Sequence, residues 1–196
     1  MTAVTMSEPI ALSASRFAAA RGGRRLDERA LVRAAQDGSS EALERLFRRH
    51  WRPAHRVAYL IVHDATAAED IAQEAFLAAI RSLDRFDRRR PFGPWLNRIV
   101  VNRAIDWTRA RALRSEVADD ALAAAPAPPV RPPYSDDVMA ALAALSPEHR
   151  AVVVLRYALE FTPGEIAALL DLPRGTVNSR LRRALDVLGV DLKESS

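Results

Sequence analysis

Cysteine is absent from this chain of 196 residues. Disulfides and thiolate zinc sites are therefore excluded, and a reducing compartment fits. Lysine is nearly absent as well: Lys193 is the one lysine among 29 basic residues. The positive charge is thus carried by arginine, the better fork for phosphate, although a GC-rich genome produces the same bias. Aromatic residues amount to only 6%, and alanine, leucine and valine supply the apolar content, which favours helices over sheets. No apolar run is long enough for a signal peptide or a membrane span, so no membrane insertion and a cytoplasmic location are expected. There is no internal repeat and no stretch of period-two alternation. The four histidines, His50, His55, His63 and His149, lack HExxH-type spacing. With no nucleophile constellation, metal set or phosphate loop in view, neither catalysis nor a cofactor is expected.

What is present is a soluble, core-forming composition: 49% hydrophobic, 28% charged, net charge +4 and a pI of about 10.2. The bias is modest, so the placement of the arginines matters more than their sum. The expected fold class is all-α, with two small helical domains joined by a Pro/Ala-rich linker. Residues 1–26 read as a disordered tail, with Met1 or Met6 as the start. Order is expected from Asp27, capping a helix to Asp37 that Gly38 stops. A second helix follows over about Glu41 to Val62, with Leu43, Leu46, Phe47, Val57, Leu60 and Ile61 inward and a kink or break near Arg52 before Pro53. A third runs from about Thr66 to Leu83, and a fourth from Trp95 to about Arg114, after the basic segment Arg85 to Pro94. Residues 115–133 form the linker, with polyproline character in its second half. The second domain, 134–192, holds a short helix through Leu145, another opened by Ser146-Pro147-Glu148 with Val152, Val153 and Leu155 buried, and a final pair. Residues 193–196 are a short tail.

The final pair, Thr162 to Leu188, reads as a helix-turn-helix. Thr162, Pro163 and Glu165 make a capping box with proline at the first helical position. Asp171-Leu172-Pro173 breaks the helix. Beyond it, Val177, Leu181, Ala184, Leu185 and Leu188 share an inner face. Thr176, Ser179, Arg182 and Arg183 face outward, Asn178 and Arg180 flank them, and Arg174 opens the helix. Short polar and arginine side chains on such a face read base edges or grip phosphate in a major groove. A basic surface helix that merely solvates its arginines has the same pattern.

Two more faces stand out. On the third helix, Asp70, Gln73, Glu74, Leu77 and Arg81 lie opposite an apolar stripe of Ala68, Ile71, Ala72, Ala75, Phe76, Ala79 and Leu83. An acidic stripe centred on a leucine suits protein docking, or is an ordinary wet face with one stray leucine. On the fourth helix, Leu96, Ile99, Val100, Ala104 and Trp107 form the buried side, while Trp95, Arg98, Asn102, Asp106 and Arg109 share another. Arg88, Arg89, Arg90 and Phe92 precede it. Arginines interleaved with rings suit single-stranded DNA, because one neutralises phosphate and the other stacks on unpaired bases. Alternatively, Phe92 and Trp95 plug the helix start into the core.

Three motifs in order, Glu69-Asp70-Ile71-Ala72-Gln73-Glu74-Ala75-Phe76, Trp95-Leu96-Asn97-Arg98-Ile99 through Asn102 to Ile105-Asp106, and Gly175 to Ala184, resemble those of bacterial extracytoplasmic-function (ECF) sigma factors. The resemblance covers about Asp27 to Leu192 and implies sigma region 2 over 27–114 and region 4 over 134–192. It implies that Asp70, Gln73, Glu74 and Leu77 dock core RNA polymerase on its β′ clamp helices, with a further contact on the β flap. It implies that Arg88, Arg89, Arg90, Phe92, Trp95, Asn97, Arg98, Asn102 and Asp106 bind and melt the −10 element. It implies that Arg174, Thr176, Asn178, Ser179, Arg180, Arg182 and Arg183 bind the −35 element, and that an anti-sigma factor is a possible partner. Asn97 stands where relatives often carry an aromatic. The alternative functions are a helix-turn-helix repressor or activator with a helical dimerisation or ligand domain, and an adaptor or sigma antagonist.

Overall fold

The computed structural model describes residues 27–117 and 134–189. The tail at 1–26, the linker stretch 118–133 and residues 190–196 lie outside the described residues. Every regular element described is helical.

The first module holds four helices. Helix α1 covers residues 27–36 and ends at Gly38, whose φ of +91° glycine adopts without strain. Helix α2, Ser40–Val62, is capped by Ser39, whose side chain accepts from the Ala42 amide at 3.2 Å. The break expected at Pro53 does not occur. Pro53 lies on the exposed side of α2 while Ala54, Val57 and Ala58 are buried. The hydrogen bond lost at proline therefore faces water, and packing on the other side holds the helix together. Helix α3, Ala65–Arg81, starts from Asp64, whose carboxylate accepts from the Ala67 amide at 3.0 Å. A single 3₁₀ turn, Leu83–Arg85, follows. Helix α4 spans Phe92–Val117. It begins three residues before the expected start at Trp95, because Pro94 sits within the first turn, where no intrahelical donor is needed. It also overruns the expected linker boundary at Ser115.

The second module holds α5 (Asp136–Ala143), α6 (Pro147–Val153), α7 (Pro163–Leu170) and α8 (Arg174–Val187). A π turn, Val154–Ala158, ends α6 and keeps the β-prone valine run helical and buried.

The expected stripe of α3 is buried throughout, from Ala68 at 0% exposed to Leu83 at 4%. Phe47 departs from expectation. It is 41% exposed and stacks on Trp51 at 5.0 Å instead of entering the core. The two modules pack on each other in this structure: one apolar core runs through both, with α4 against α6 and α7 and α2 against α5 and α6. Arg150 joins them. It is 7% exposed and donates to the carbonyls of Leu142, Ala143 and Leu145 in its own module and of Ile61 in the other.

His63 sits at this junction in a left-handed C-cap, with a ring nitrogen 3.1 Å from the Leu60 carbonyl. Burial and, after it, the Arg150 charge push its imidazole down to about 4. Between pH 6.5 and 4 the unfolded chain therefore binds a proton that the folded chain refuses, and stability falls as pH falls through that window. Going from pH 7 to 5 should cost about 1 kcal/mol at this site, once solvent screening is discounted. Urea denaturation at both pH values checks this. A His63→Gln variant, which has no proton to refuse, should lose that share of the pH dependence.

Candidate nucleic-acid and polymerase interfaces

The basic loop between α3 and α4 is clipped at both ends by α1. The Gln36 amide donates to the carbonyls of Leu83 (2.9 Å) and Phe86 (3.0 Å). The Glu28 carboxylate accepts from the amide of Phe92, the first residue of α4, at 2.9 Å. His50 stands 3.3 Å from the other Glu28 oxygen. Burial works to raise the Glu28 carboxyl, but His50, the Phe92 amide and Arg49 outweigh it and hold it below the ordinary value. Gly93 leaves room for His50, since a Cβ there would lie 3.2 Å from the ring. Between the clips, the Asp87 carboxylate accepts from the Arg89 amide at 2.9 Å and tightens the turn, and Arg88, Arg89 and Arg90 are exposed. Neither Glu28 nor Gln36 was singled out by sequence reasoning. Their partners lie 47 to 64 residues away, and no periodic signal marks such a pair.

Three rings gather under the loop. Phe86 and Trp95 have centroids 4.4 Å apart, Phe92 and Trp95 5.5 Å, and Phe86 meets Phe92 edge-on at 6.0 Å. Phe86 and Phe92 are buried at 7% and 4%, and Trp95 is half-buried. Of the three, Trp95 is the one with a face to offer. Phe92 takes the second of its two expected readings: its side chain is buried and packs against Trp95 from inside. Asn97, at 9% exposure, is withdrawn from the surface. Arg98 is half-buried, and Asn102, Asp106 and Arg109 are exposed along one side of α4.

On α3, Asp70, Gln73 and Glu74 are exposed, and neither carboxylate forms an ion pair among the described residues. Leu77 is 44% exposed and Ile80, absent from the sequence-based set, 46%. With Phe47 from α2, Ile80 borders a shallow apolar groove. The leucine is therefore one of a group of exposed apolar side chains beside an acidic row.

The helix-turn-helix forms as its sequence dictates. Thr162 accepts from the Glu165 amide at 3.3 Å, and Glu165 accepts from the Thr162 amide at 2.8 Å. Asp171 closes α7 in a left-handed conformation, φ 56°. Val177, Leu181, Ala184 and Leu185 of α8 are buried. Arg174, Asn178, Arg182 and Arg183 are exposed, and Thr176, Ser179 and Arg180 are half-buried. The Ser179 hydroxyl donates to the Thr176 carbonyl at 2.9 Å.

Where the modules meet, carboxylates of the second cover arginines of the first. Glu148 pairs with Arg109 at 2.6 Å, and Asp171 lies 3.8 Å from Arg98. Burial works to raise the Glu148 carboxyl, but its backbone hydrogen bond, the Arg109 hydrogen bond and the charges of Arg109 and Arg180 hold it below its ordinary value. One carboxylate thus faces an arginine from each of the two basic surfaces.

Comparison with known proteins agrees with this layout. The family model for Sigma-70 region 2 matches residues 46–114, and that for Sigma-70, region 4 matches residues 135–188. The ECF RNA polymerase sigma factor SigW of Bacillus subtilis (strain 168) is 30% identical over 71% of this chain and 83% of its own length. The RNA polymerase sigma factor CarQ of Myxococcus xanthus is 34% identical over 78% of this chain and 90% of its own. The solved structure of CnrH in complex with the cytosolic domain of CnrY has a TM-score of 0.63 and 31% identity, covering 83% of this chain and 94% of that one.

Proposed function

This chain belongs to the ECF sigma factors of the sigma-70 superfamily, and we propose that its two modules divide a promoter between them. As a sigma factor it binds core RNA polymerase and directs it to promoters. The finer assignment gives the −10 element to the clipped loop with α4, the −35 element to α8, and the β′ clamp helices to the exposed face of α3. A contact of the second module with the β flap completes the polymerase surface.

The observation that carries the −10 assignment is the braced loop. Its arginines project from a turn held at both ends, so little ordering remains to be done when DNA binds. Trp95, backed by Phe86 and Phe92, is a stacking surface for a base that has left the duplex. Arg98, Asn102, Asp106 and Arg109 extend the surface along α4. Phe92 and Asn97 act from inside, by shaping the start of that helix. In α8, Arg174, Asn178, Arg182 and Arg183 stand toward a major groove, with Thr176, Ser179 and Arg180 at its edges.

The packed arrangement does not fit a promoter as it stands. Elements two turns of duplex apart are separated by about 70 Å, whereas here the two basic surfaces share Glu148. Initiation therefore requires the modules to part. Residues 118–133 reach about 55 Å when extended, and the module bodies supply the rest. The tether also makes the second DNA contact effectively intramolecular. CnrH, to which this chain is similar, is solved in complex with the cytosolic domain of CnrY, which supports a protein partner besides the polymerase for this chain too; an anti-sigma factor is the one proposed.

Run-off transcription with purified core polymerase on a library of the source genome tests the reading. Transcripts starting at defined positions, dependent on this chain, are expected; their absence would refute it. On a promoter so found, Arg180→Ala should weaken holoenzyme binding about tenfold at fixed salt. Equal affinities would remove Arg180 from the −35 contact.

A further inference from the structure

We infer that Arg29 and Arg33 of α1, together with Arg88 and Arg89 of the clipped loop, form a cradle for a DNA phosphodiester at the −10 end of the promoter. The four line one concavity of about 240 Å³. The inference rests on the −10 reading above and extends it to a helix that precedes the residues matched by the region 2 model, 46–114.

Convergence is the first argument. Arg29 and Arg33 are four apart on one helix face, a like-charge spacing that disfavours the helix. All four guanidinium-bearing residues are exposed, and none forms an ion pair with a carboxylate among the described residues. None of the acids next to them in sequence pairs with the four: the exposed Asp37 and Asp84 form no ion pair among the described residues. Asp27 pairs with Arg49 at 2.5 Å, Glu28 holds the Phe92 amide, and Asp87 accepts from the Arg89 amide. Four cations gathered on one concavity with no ion pair formed are a local conflict with folding, of the kind proteins keep at sites that bind something.

Rigidity is the second. Arg29 donates to the Arg89 carbonyl at 3.3 Å, so helix and loop are joined across the concavity. The Gln36 and Glu28 clips fix the loop on either side. Planar guanidinium forks pair bidentately with phosphate oxygens, and forks on two held elements can grip one phosphodiester from two sides. Such contacts position a strand and read no bases. The cradle therefore sets where the strand enters the loop and leaves the choice of base to its neighbours.

The test uses holoenzyme assembled from the full chain and a promoter found by run-off transcription. Arg29→Gln with Arg33→Gln should weaken promoter binding about tenfold at fixed salt and reduce the slope of log affinity against log salt by about 1. Promoters altered at −10 bases should suffer the same factor. Fragments carrying one neutral methylphosphonate at successive −10 positions should reveal a linkage whose neutralisation weakens the wild type and not the variant. Far-UV circular dichroism and co-purification with core polymerase should be unchanged. If the variant binds like wild type while Arg88→Gln with Arg89→Gln binds weakly, the cradle is wrong and the −10 loop stands. If neither pair matters, the −10 reading itself falls. If the α1 variant leaves promoter binding intact but abolishes thermal stabilisation by tripolyphosphate, the site takes a free polyphosphate, and the DNA assignment is overturned.

Discussion

Reversing Asp70 and Glu74 together to arginine is expected to abolish co-purification with core RNA polymerase and to leave the helical fold unchanged. The two carboxylates are exposed one turn apart on α3. Neither is tied to a neighbour, so no internal network is broken when they change, and surface substitutions of this kind usually move stability by less than about 0.5 kcal/mol. The partner face must supply complementary charge. Losing one such contact at an interface costs about 2–5 kcal/mol, and reversal adds repulsion at each position. Two reversals therefore exceed about a thousandfold in affinity. Leu77→Ala should weaken binding less, by about 1–3 kcal/mol of lost apolar burial. Co-purification of the double variant at the wild-type level, with circular dichroism unchanged, would remove α3 from the polymerase contact.

How far the sequence anticipates this structure depends on the range of the interaction. The helix-turn-helix was legible because its determinants are local: a capping box spans Thr162 to Glu165, and the inner face repeats at helical spacing through Val177, Leu181 and Leu185. The buried stripe of α3 was legible for the same reason. Phe47 was not, and Phe92 was legible only as one of two readings, because helical periodicity says which face a ring occupies but not how deep the neighbouring helix lets it sit. Phe47 falls at the rim of a groove, and Phe92 falls between Phe86 and His50. The clips from Glu28 and Gln36 were invisible, since each joins residues remote in sequence through a single side chain. The packing of one module on the other was invisible too, because its bolt is an arginine, a residue type almost never buried unless paired.

That bolt leads to the second large effect. Arg150→Met is expected to destabilise the second module by about 3–5 kcal/mol and to separate it from the first. The guanidinium lies at the C-terminal ends of two helices, where exposed carbonyls carry partial negative charge. Leu142 and Ala143 close α5, and Ile61 lies in the last turn of α2. Methionine fills the volume but leaves those carbonyls buried without their donor, which costs more than a solvated pair would. At about 0.05–0.15 kcal/mol per residue, a module of this size has only about 3–8 kcal/mol in total, so the loss is a large share. Glu148→Gln, which removes a half-exposed ion pair on the same seam, should cost less than about 1 kcal/mol. Urea denaturation should show the contrast between the two variants, and small-angle scattering should show a larger radius of gyration for Arg150→Met at urea concentrations below its transition. If both variants unfold at the same urea concentration as wild type, Arg150 does not hold the modules together. If Arg150→Met unfolds early but keeps the wild-type radius until it does, Arg150 stabilises α5 alone, and the seam is held by apolar contact between α4, α6 and α7.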